Sequence, residues 1–283
     1  MITDRAQRWR NRLALFKKVA SEPIDTSAYE VAPIDGAGAD KIAGEFVRAH
    51  HYSASYPAAR ERIGLYRRRD AWAIGGGELV GVAVFSVPAQ PKVLDALPCD
   101  RDEAVELGRL VLLDGVEANG ESWFIARAFE ILRARGYAGV LSFADPVPRR
   151  TAAGEVVFPG HLGTIYQATN AIYTGRATPR TLRLLPDGRV FSARSISKVR
   201  ASERGWRYSV ELLVEAGAPP PADLSAEGLR AWLGHAVAAV TRPLRHGGNH
   251  RYLWALNKAA SRTLPKHLEA QRLKVQPYPK FTA

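Results

Sequence analysis

Cysteine is almost absent from the 283-residue sequence, in which Cys99 stands alone. A single cysteine excludes an internal disulfide framework and any cysteine-based zinc finger. Long apolar runs are also missing, and no segment approaches the roughly 18 apolar residues that a membrane-spanning helix needs. The sequence also lacks a P-loop, a G-x-G-x-x-G fingerprint and a Ser-His-Asp hydrolase motif. These absences favour a cytoplasmic protein without a membrane span.

Negative charge is scarce relative to positive charge. Lysine and arginine number 40 against 28 aspartates and glutamates, which gives a net charge of +12 and a pI near 10.0. An excess of this size predicts a polyanionic partner such as DNA, RNA or an anionic membrane surface. A solvated cationic surface without a partner, or a genome that prefers arginine, is the alternative interpretation.

The periodicity of apolar residues predicts an α/β fold. Strands and helices alternate only in part, which indicates a mixed, mostly antiparallel sheet flanked by helices. A basic amphipathic helix over residues 1–20 precedes this sheet. The further predicted elements are strands Tyr29–Ile34, Ile63–Arg67, Ala71–Ile74, Leu79–Val87, Ala104–Leu113, Gly139–Phe143 and Ile172–Arg176, and helices Ala39–His50, Ser122–Arg135 and Ile165–Asn170.

Three consecutive segments are predicted, namely a basic N-terminal helix (1–28), an α/β domain (29–179) and a C-terminal part (180–283). The C-terminal part begins with an added β-region over residues 180–215, which contains the turn Pro186-Asp187-Gly188. Beyond the proline-rich break at Ala218–Pro221, residues 225–283 are predicted to form a basic helical extension.

The segment from Glu106 to Gly136 places a strand, a short loop and a helix N-terminus in succession, where backbone N–H groups can meet an anion. The order of elements over residues 29–177 resembles that of the GNAT acyltransferases, which bind the pyrophosphate of CoA with such a loop. Here the loop Gly115–Ser122 has few glycines and carries two acids, Glu117 and Glu121. We therefore expect a GNAT-like fold but poor binding of a CoA pyrophosphate.

Five short motifs occur in a particular order, namely His51-Tyr52, Glu106–Leu110, Glu121–Ile125, Ser142–Pro146 and Gly163–Ala168. In this order and spacing the sequence resembles the bacteriophage Mom DNA-modification proteins over about residues 45–177. The resemblance implies a GNAT-like enzyme that converts adenine in DNA to N6-(carbamoylmethyl)adenine and shields phage DNA from host restriction. It also implies double-stranded DNA as substrate in the cytoplasm of a bacterial host, with the target base flipped out of the stack.

Asp145, Tyr166 and Ser122 are the predicted catalytic residues. Asp145 ends a buried strand, at the end of the sheet where α/β proteins bind ligands, and can orient or deprotonate an exocyclic amine. Tyr166 follows Gly163-Thr164 at a helix start, where a phenol can donate a proton or stack. Each has a structural alternative, which is an Asx-turn or cap for Asp145, core packing for Tyr166 and an N-cap for Ser122.

The residues predicted to bind the substrate are His51, Tyr52, Arg109 and Trp123. Arg109 interrupts an otherwise apolar strand, so it must pair with a carboxylate such as Glu106 or reach an anion of the ligand. His51 and Tyr52 can contact the base. A metal ion held by His51 and Asp145 is an alternative that the sequence leaves open.

The C-terminal part carries a polyanion signal, because its cations alternate with aromatic residues such as Tyr252 and Trp254. Lysine and arginine neutralise phosphates, while aromatic rings stack on bases. The predicted nucleic-acid-binding residues are Arg242, Arg245, Arg251, Lys258, Arg262, Lys266, Arg272 and Lys274. A solvated helix face over core aromatics is the alternative.

The acyl donor is open between acetyl-CoA and a glycyl donor such as glycyl-tRNA. Acetyl transfer gives N–CO–CH3 and cannot supply the terminal amide nitrogen of the product that the resemblance implies. With a glycyl donor, tRNA is a second partner for the basic surface. Two other functions also stay open from the sequence: an ordinary GNAT N-acetyltransferase acting on a protein or small molecule, and a non-catalytic nucleic-acid-binding protein.

Overall fold

The computed structural model describes residues 23–53, 55–68 and 77–280. The predicted helix over residues 1–20 and the predicted strand Ala71–Ile74 lie outside the described residues. In chain order the strands and helices are β1 (Tyr29–Pro33), α1 (Ala39–His50), β2 (Ala59–Arg67), β3 (Glu78–Ser86), β4 (Ala104–Leu112), α2 (Gly120–Ala134), β5 (Gly139–Ala144), β6 (Arg149–Arg150), β7 (Val156–Phe158), α3 (Thr164–Ala168), β8 (Ile172–Arg176), β9 (Arg180–Leu184), β10 (Val190–Phe191), α4 (Ala193–Arg200), α5 (Trp206–Glu215), α6 (Ala226–Val240), β11 (Arg242–His246), β12 (His250–Ala255) and α7 (Lys258–Ala270). None of these helices is long and apolar enough to cross a membrane.

The elements form two compact units, each built from separate stretches of the chain. The sheet unit comprises the described residues up to Ala144, together with Leu162–Gly175 and the residues from His250 on. The helical unit comprises Asp145–His161 and Arg176–Asn249. Each unit in the structure therefore combines stretches that are separated in the sequence, whereas the sequence predicts three consecutive segments.

The sheet unit contains a seven-stranded sheet in the order β1-β2-β3-β4-β5-β12-β8. Neighbouring strands from β1 to β4 run antiparallel, β4 and β5 run parallel, and β5 and β12 are again antiparallel. This mixed, mostly antiparallel sheet with flanking helices confirms the predicted fold class. β4 and β5, the parallel pair, are connected through α2.

Alternate side chains of β3 show why the sheet has helices on both faces. Ala83 and Phe85 are buried in a core shared with α2, whereas Val82 and Val84 are buried in a core shared with α1. Successive residues of a strand point to opposite faces, so a strand covered on both faces is apolar throughout. The sequence over 79–85 is such a continuous apolar run, and it was correctly predicted as a strand.

β12 corrects the prediction of a helical extension over residues 225–283, in which only α6 and α7 are helices. It pairs antiparallel with β5, from His250 opposite Ala144 to Ala255 opposite Gly139. The residues in its middle are fully buried or nearly so. A short apolar run that is buried on both faces has no period that separates a strand from a helix, which is the physical reason for the error.

The helical unit has a core that includes Phe191, Val199, Leu213, Leu229 and Leu233, packed between α4, α5 and α6. Its larger sheet has three strands in the order β10-β9-β11. The β-region predicted over residues 180–215 is therefore wrong after residue 191, because α4 and α5 follow. Ser192 caps α4 by accepting a hydrogen bond from the N–H of Ser195, a signal typical of a helix start.

Candidate active site

The candidate site lies in the sheet unit, where β4 and β5 stop pairing. The two parallel strands pair only from Ala104 opposite Gly139 to Glu106 opposite Leu141. Beyond this point the buried Ser142 hydroxyl donates a hydrogen bond to the carbonyl oxygen of Leu107 at 2.9 Å. The place where neighbouring strands of an α/β sheet separate is where such folds bind ligands.

A bulge in β4 directly precedes Arg109, beyond the point where β4 stops pairing with β5. The register with β3 shifts between Val84 and Phe85, and an added Cβ at Gly108 would lie 2.5 Å from the Ser86 hydroxyl oxygen. Glycine therefore lets the two strands approach closely at the bulge. A residue placed at a bulge is turned relative to the regular pleat of its strand.

Arg109 holds the loop between α1 and β2. Its guanidinium donates to the carbonyl oxygen of Ser55 at 2.9 Å and to the Ser55 hydroxyl at 2.7 Å. A salt bridge between Arg109 and Glu106, one of the two outcomes predicted for this arginine, is not formed within the described part of the chain. Burial lowers the pKa of Arg109, and the charge of Glu106 acts in the opposite direction.

Tyr166 is presented by the short helix α3, which begins after Gly163 in the left-handed conformation. Only 8% of its surface is exposed, and its ring centroid lies 5.3 Å from that of Tyr252 and 5.5 Å from that of Trp254. Burial raises the pKa of the Tyr166 phenol well above its ordinary value, although a hydrogen bond with Ser142 opposes the effect. The phenol is therefore a hydrogen-bond donor at neutral pH.

Glu106 supplies an acidic side chain that interacts electrostatically with Arg109 and Tyr166. Burial raises the pKa of its carboxyl, and the nearby Arg109 charge partly offsets this. Tyr52 and Glu106 in turn act electrostatically on Tyr166. The structure thus brings together three residues that the sequence selected, Tyr52, Arg109 and Tyr166, and adds Glu106 and Ser142 to them.

His51 and Tyr52 form a stacked pair at the end of α1. Their ring centroids are 4.2 Å apart, and 8% of His51 is exposed. The backbone N–H of Ser53 donates to Nδ1 of His51 at 3.1 Å. A neutral His51 therefore carries its proton on Nε2.

Ser122 and Trp123 have different surroundings. The helix α2 begins at Gly120 with Asn119 as its N-cap, so the predicted N-cap role of Ser122 is wrong. The Ser122 hydroxyl donates instead to the Asn119 carbonyl at 3.0 Å. Trp123 lines a surface cavity of about 540 Å³ between α2 and β1, with Tyr29 among its other residues.

The loop before α2 does not fit a CoA pyrophosphate. The Glu117 carboxylate in this loop accepts a hydrogen bond from the Tyr29 hydroxyl at 2.7 Å, which holds the acidic side chain in position. The N–H of Ile24 donates to the carbonyl of Ala118 at 2.9 Å, so another stretch of chain packs on the loop. A second acid, Glu121, sits in the first turn of the helix. Carboxylates at this position repel the phosphates that such loops normally bind.

Asp145 follows β5 directly and belongs to the helical unit, where three donors surround its carboxylate. Oδ1 accepts from the Val147 N–H at 3.0 Å and from His246 Nε2 at 2.9 Å, and Oδ2 pairs with Arg149. His246 is fully buried, and its Nδ1 accepts from the N–H of Gly248 at 3.0 Å. These contacts make His246 a neutral donor to Asp145.

His246 is a partner of a predicted site residue, Asp145, that the sequence analysis did not select. One signal was available in the sequence, namely a histidine directly before Gly247-Gly248 at the end of a strand. Among the described residues no three His, Cys, Asp or Glu side chains cluster in a way that suits a metal ion. Metal binding by His51 and Asp145 stays a prediction.

The predicted nucleic-acid-binding residues belong to both units. Arg242 and Arg245 lie on β11 in the helical unit, and the others belong to the sheet unit. Arg251 is half-buried in β12, where its Nε donates to the Thr174 hydroxyl at 2.8 Å. The remaining cations are exposed on or after α7, namely Lys258, Arg262, Lys266, Arg272 and Lys274. Those on α7 recur every four residues and therefore share one side of the helix.

The model of the Mom protein family matches residues 28–217, more than half of the 283-residue chain. Among solved structures, a tandem GNAT protein from the clavulanic acid biosynthesis pathway is 10% identical with a TM-score of 0.39, covering 81% of this chain and 99% of its own. An N-acetyltransferase from Staphylococcus aureus Mu50 is 12% identical with a TM-score of 0.29, covering 55% and 87%. No curated protein matches the chain. The matched range runs from the start of β1 past the end of α5 and includes Arg109, Asp145 and Tyr166, and the chain belongs to the Mom protein family.

Proposed function

We propose that this protein is an enzyme that acylates the exocyclic amine of adenine in duplex DNA, as the first step towards N6-(carbamoylmethyl)adenine. The family match over residues 28–217 carries the proposal, because it includes Glu106, Arg109 and Tyr166. An amine inside a duplex is out of reach of a buried site, so the adenine must be flipped out of the stack. His51 and Tyr52 are the proposed ring surface for the flipped base.

Glu106 and Tyr166 are the proposed acid–base pair of the transfer. As adenine N6 attacks the acyl carbonyl carbon, its proton passes to the Glu106 carboxylate, whose raised pKa suits a proton acceptor. The bond from the carbonyl carbon to the leaving group then breaks, and the Tyr166 phenol gives its proton to the departing oxygen. The proton held by Glu106 then returns to the phenolate, so both residues regain their starting forms. Asp145 has its oxygens occupied by His246, Val147 and Arg149, which supports a positioning role for it.

The proposed donor is a glycyl ester such as glycyl-tRNA, since the acidic loop before α2 does not fit CoA. Transfer of a glycyl group gives N6–CO–CH2–NH2 on the purine. The free amine then attacks C6 through a five-membered ring, and the bond from C6 to the original nitrogen breaks. That nitrogen becomes the terminal amide, so the atoms balance without a second nitrogen donor.

Mass spectrometry of nucleosides from cells that express the protein tests the function. The wild type and a Tyr137→Phe control are expected to give modified adenine. Tyr166→Phe and Glu106→Gln are expected to lower its yield by about 100-fold or more, as loss of a general acid or base does. Modified adenine at the wild-type level in both variants would show that the residues are wrongly assigned. Its absence from wild-type cells would contradict the proposed function itself.

Glycine labelled with nitrogen-15 tests the donor in the same cells. The glycyl route places the label on the nitrogen attached to the purine ring, after correction for label incorporated into the ring during purine synthesis. Side-chain carbon that derives from acetate, without nitrogen-15 at that position, would contradict the route and favour acetyl-CoA.

A further inference from the structure

The helical unit exposes a group of arginines where its three helices meet. α4 ends at Arg200, and α5 begins after a five-residue turn that contains Arg204. The turn is tight, because the N–H of Glu203 donates to the Lys198 carbonyl at 3.0 Å. From α6, Nε of Arg230 donates to the carbonyl of Arg200 at 3.1 Å. We call Arg200, Arg204, Arg207 and Arg230 the arginine corner.

The positive charge of the arginine corner is not neutralised. All four residues are exposed, and none forms a salt bridge within the described part of the chain. The nearest acid in sequence, Glu203, is paired with Arg194 at 3.2 Å. Arginines elsewhere, such as Arg135 with Asp35, do have acidic partners. Uncompensated cations that lie close together repel one another, and an anionic partner relieves this repulsion.

The charge along α5 restricts the way in which a polyanion can approach. Arg207, Glu211 and Glu215 recur every four residues and lie on one side of the helix. Only the N-terminal end of that side is positive, and the helix dipole adds positive potential there. The Arg207 guanidinium lies 5.0 Å from the centre of the Trp206 ring, and Tyr208 is 63% exposed next to it. A polyanion therefore meets this end of α5, together with the turn before it.

We propose that the arginine corner binds the sugar–phosphate backbone of duplex DNA. Guanidinium groups form forked hydrogen bonds that match phosphate oxygens, and four of them suit consecutive phosphates of a strand better than a single small anion. Backbone contacts of this kind fix the position of a protein on the duplex without reading its sequence. The inference rests on the proposed function, in which the duplex is the substrate.

Binding of a fluorescent DNA duplex at several salt concentrations tests the proposal. The test variant combines Arg200→Gln, Arg204→Gln and Arg207→Gln, and the control combines Lys41→Gln, Arg48→Gln and Lys92→Gln on exposed positions of the sheet unit. The test variant is expected to bind about 10-fold more weakly or worse at physiological salt. The slope of log affinity against log salt is expected to fall by about 0.9 for each phosphate that the variant no longer neutralises. The control is expected to resemble the wild type.

A charge-conserving variant, with lysine at the same three positions, separates charge from structure. Because it keeps the charge but not the forked hydrogen bonds, it is expected to keep the wild-type salt slope and to lose less affinity than the glutamine variant. Equal loss of affinity and slope with glutamine and lysine would overturn the proposal. Should the glutamine variant misfold by circular dichroism, Arg204→Glu in the exposed turn replaces it with the same expectation. Affinity and salt slope unchanged from the wild type would overturn the proposal too.

Further outcomes test the arginine corner independently of the proposed function, and distinguish DNA from RNA as its ligand. The corner variant could lose DNA binding while wild-type cells contain no modified adenine. That result would support DNA binding by the arginine corner and contradict the proposed function. Alternatively, wild-type cells could contain modified adenine while the corner variant binds duplex DNA normally. That result would support the proposed function and contradict DNA binding by the arginine corner. Weaker binding of a tRNA transcript with unchanged duplex binding would assign the corner to RNA and overturn the proposal.

Discussion

Glu106 is a residue in which stability and activity are expected to conflict. Its folded-state pKa is raised, so the stability that the neutral carboxyl confers is present below the unfolded pKa and is lost as the pH rises through the folded pKa. Glutamine stays neutral at every pH, so Glu106→Gln avoids the stability loss that accompanies ionisation of Glu106. We expect the variant to melt at a higher temperature than the wild type at neutral pH, with the difference vanishing below about pH 4.

Thermal melts of both proteins between about pH 4 and pH 8 measure this difference. Asp114→Asn, at an exposed site in the same unit, is the matched control and should show no such trend. A Glu106→Gln variant that is less stable than the wild type at neutral pH would show that the carboxylate is well solvated or paired when folded.

His246 is expected to contribute to stability as the buried partner of Asp145. His246→Ala leaves a buried carboxylate without one donor and the Gly248 N–H without its acceptor, so it should cost about 2–4 kcal/mol of unfolding free energy. His235→Ala, on the exposed side of α6, should change the stability by less than about 0.5 kcal/mol. Urea denaturation measures both. An equal, small effect of the two variants would contradict the structural role of His246.

Single residues were predictable where the sequence placed an unusual side chain in a regular element. Arg109 in an apolar strand and Tyr166 at a helix start are such cases, and they lie in one electrostatic group. His246 was not predictable as a partner of Asp145, because the two are 101 positions apart and only the fold joins them. The fold also divides the predicted nucleic-acid-binding residues between the two units, which their order in the sequence does not reveal.

Gly163 controls the element that carries Tyr166. An added Cβ would lie 2.7 Å from the Tyr166 ring and 2.8 Å from the Tyr252 ring, at a φ of +72°. Gly136 has a similar positive φ with no atom within 4 Å, so Gly136→Ala isolates the backbone cost of about 1 kcal/mol. We expect Gly163→Ala to cost about 1–3 kcal/mol more, because it also displaces packed rings.

Denaturation of the two alanine variants gives this difference, and the yield of modified adenine shows whether Tyr166 has moved. Gly163→Ala is expected to lower that yield strongly, whereas Gly136→Ala should leave it near the wild-type level. Equal costs for the two substitutions would show that the rings around Gly163 yield easily.

The helix α1, which has a clear apolar period, was predicted correctly, and so was the buried strand β3, whereas the buried strand β12 was not. The helix α1 was predicted with the bounds that the structure gives it, Ala39–His50, because its buried residues recur at helical spacing. β12 is buried on both faces, and its apolar residues carry no period. The start of α2 was misplaced by two residues because Asn119, in the left-handed conformation, ends the loop where Ser122 looked like a cap.

At the scale of the whole molecule, the net charge of +12 predicts a polyanionic partner without saying where it binds. Deletion of residues 250–283 would remove charge, but it would also remove β12 from between β5 and β8. We therefore expect this truncation to yield no soluble folded protein. Lys258→Gln, Arg262→Gln and Lys266→Gln together remove charge from α7 alone and should leave the fold intact.

Soluble yield and far-ultraviolet circular dichroism distinguish the truncated chain from the triple variant. A folded, soluble truncation would show that β12 is dispensable to the sheet. A triple variant that fails to fold would show that the exposed side of α7 packs against something the fold requires.

The position of β12 also determines the point in synthesis at which the sheet can be completed. β5 leaves the ribosome early, yet the strand that covers its second edge follows only after the whole of the helical unit has been made. Until then β5 presents an open edge, which is a site where nascent chains pair wrongly with one another. A chain stalled before residue 250 already contains Glu106, Arg109 and Tyr166 but lacks the strand that Tyr252 and Trp254 bring to them. The seven-stranded sheet can therefore be completed only once translation has passed residue 255.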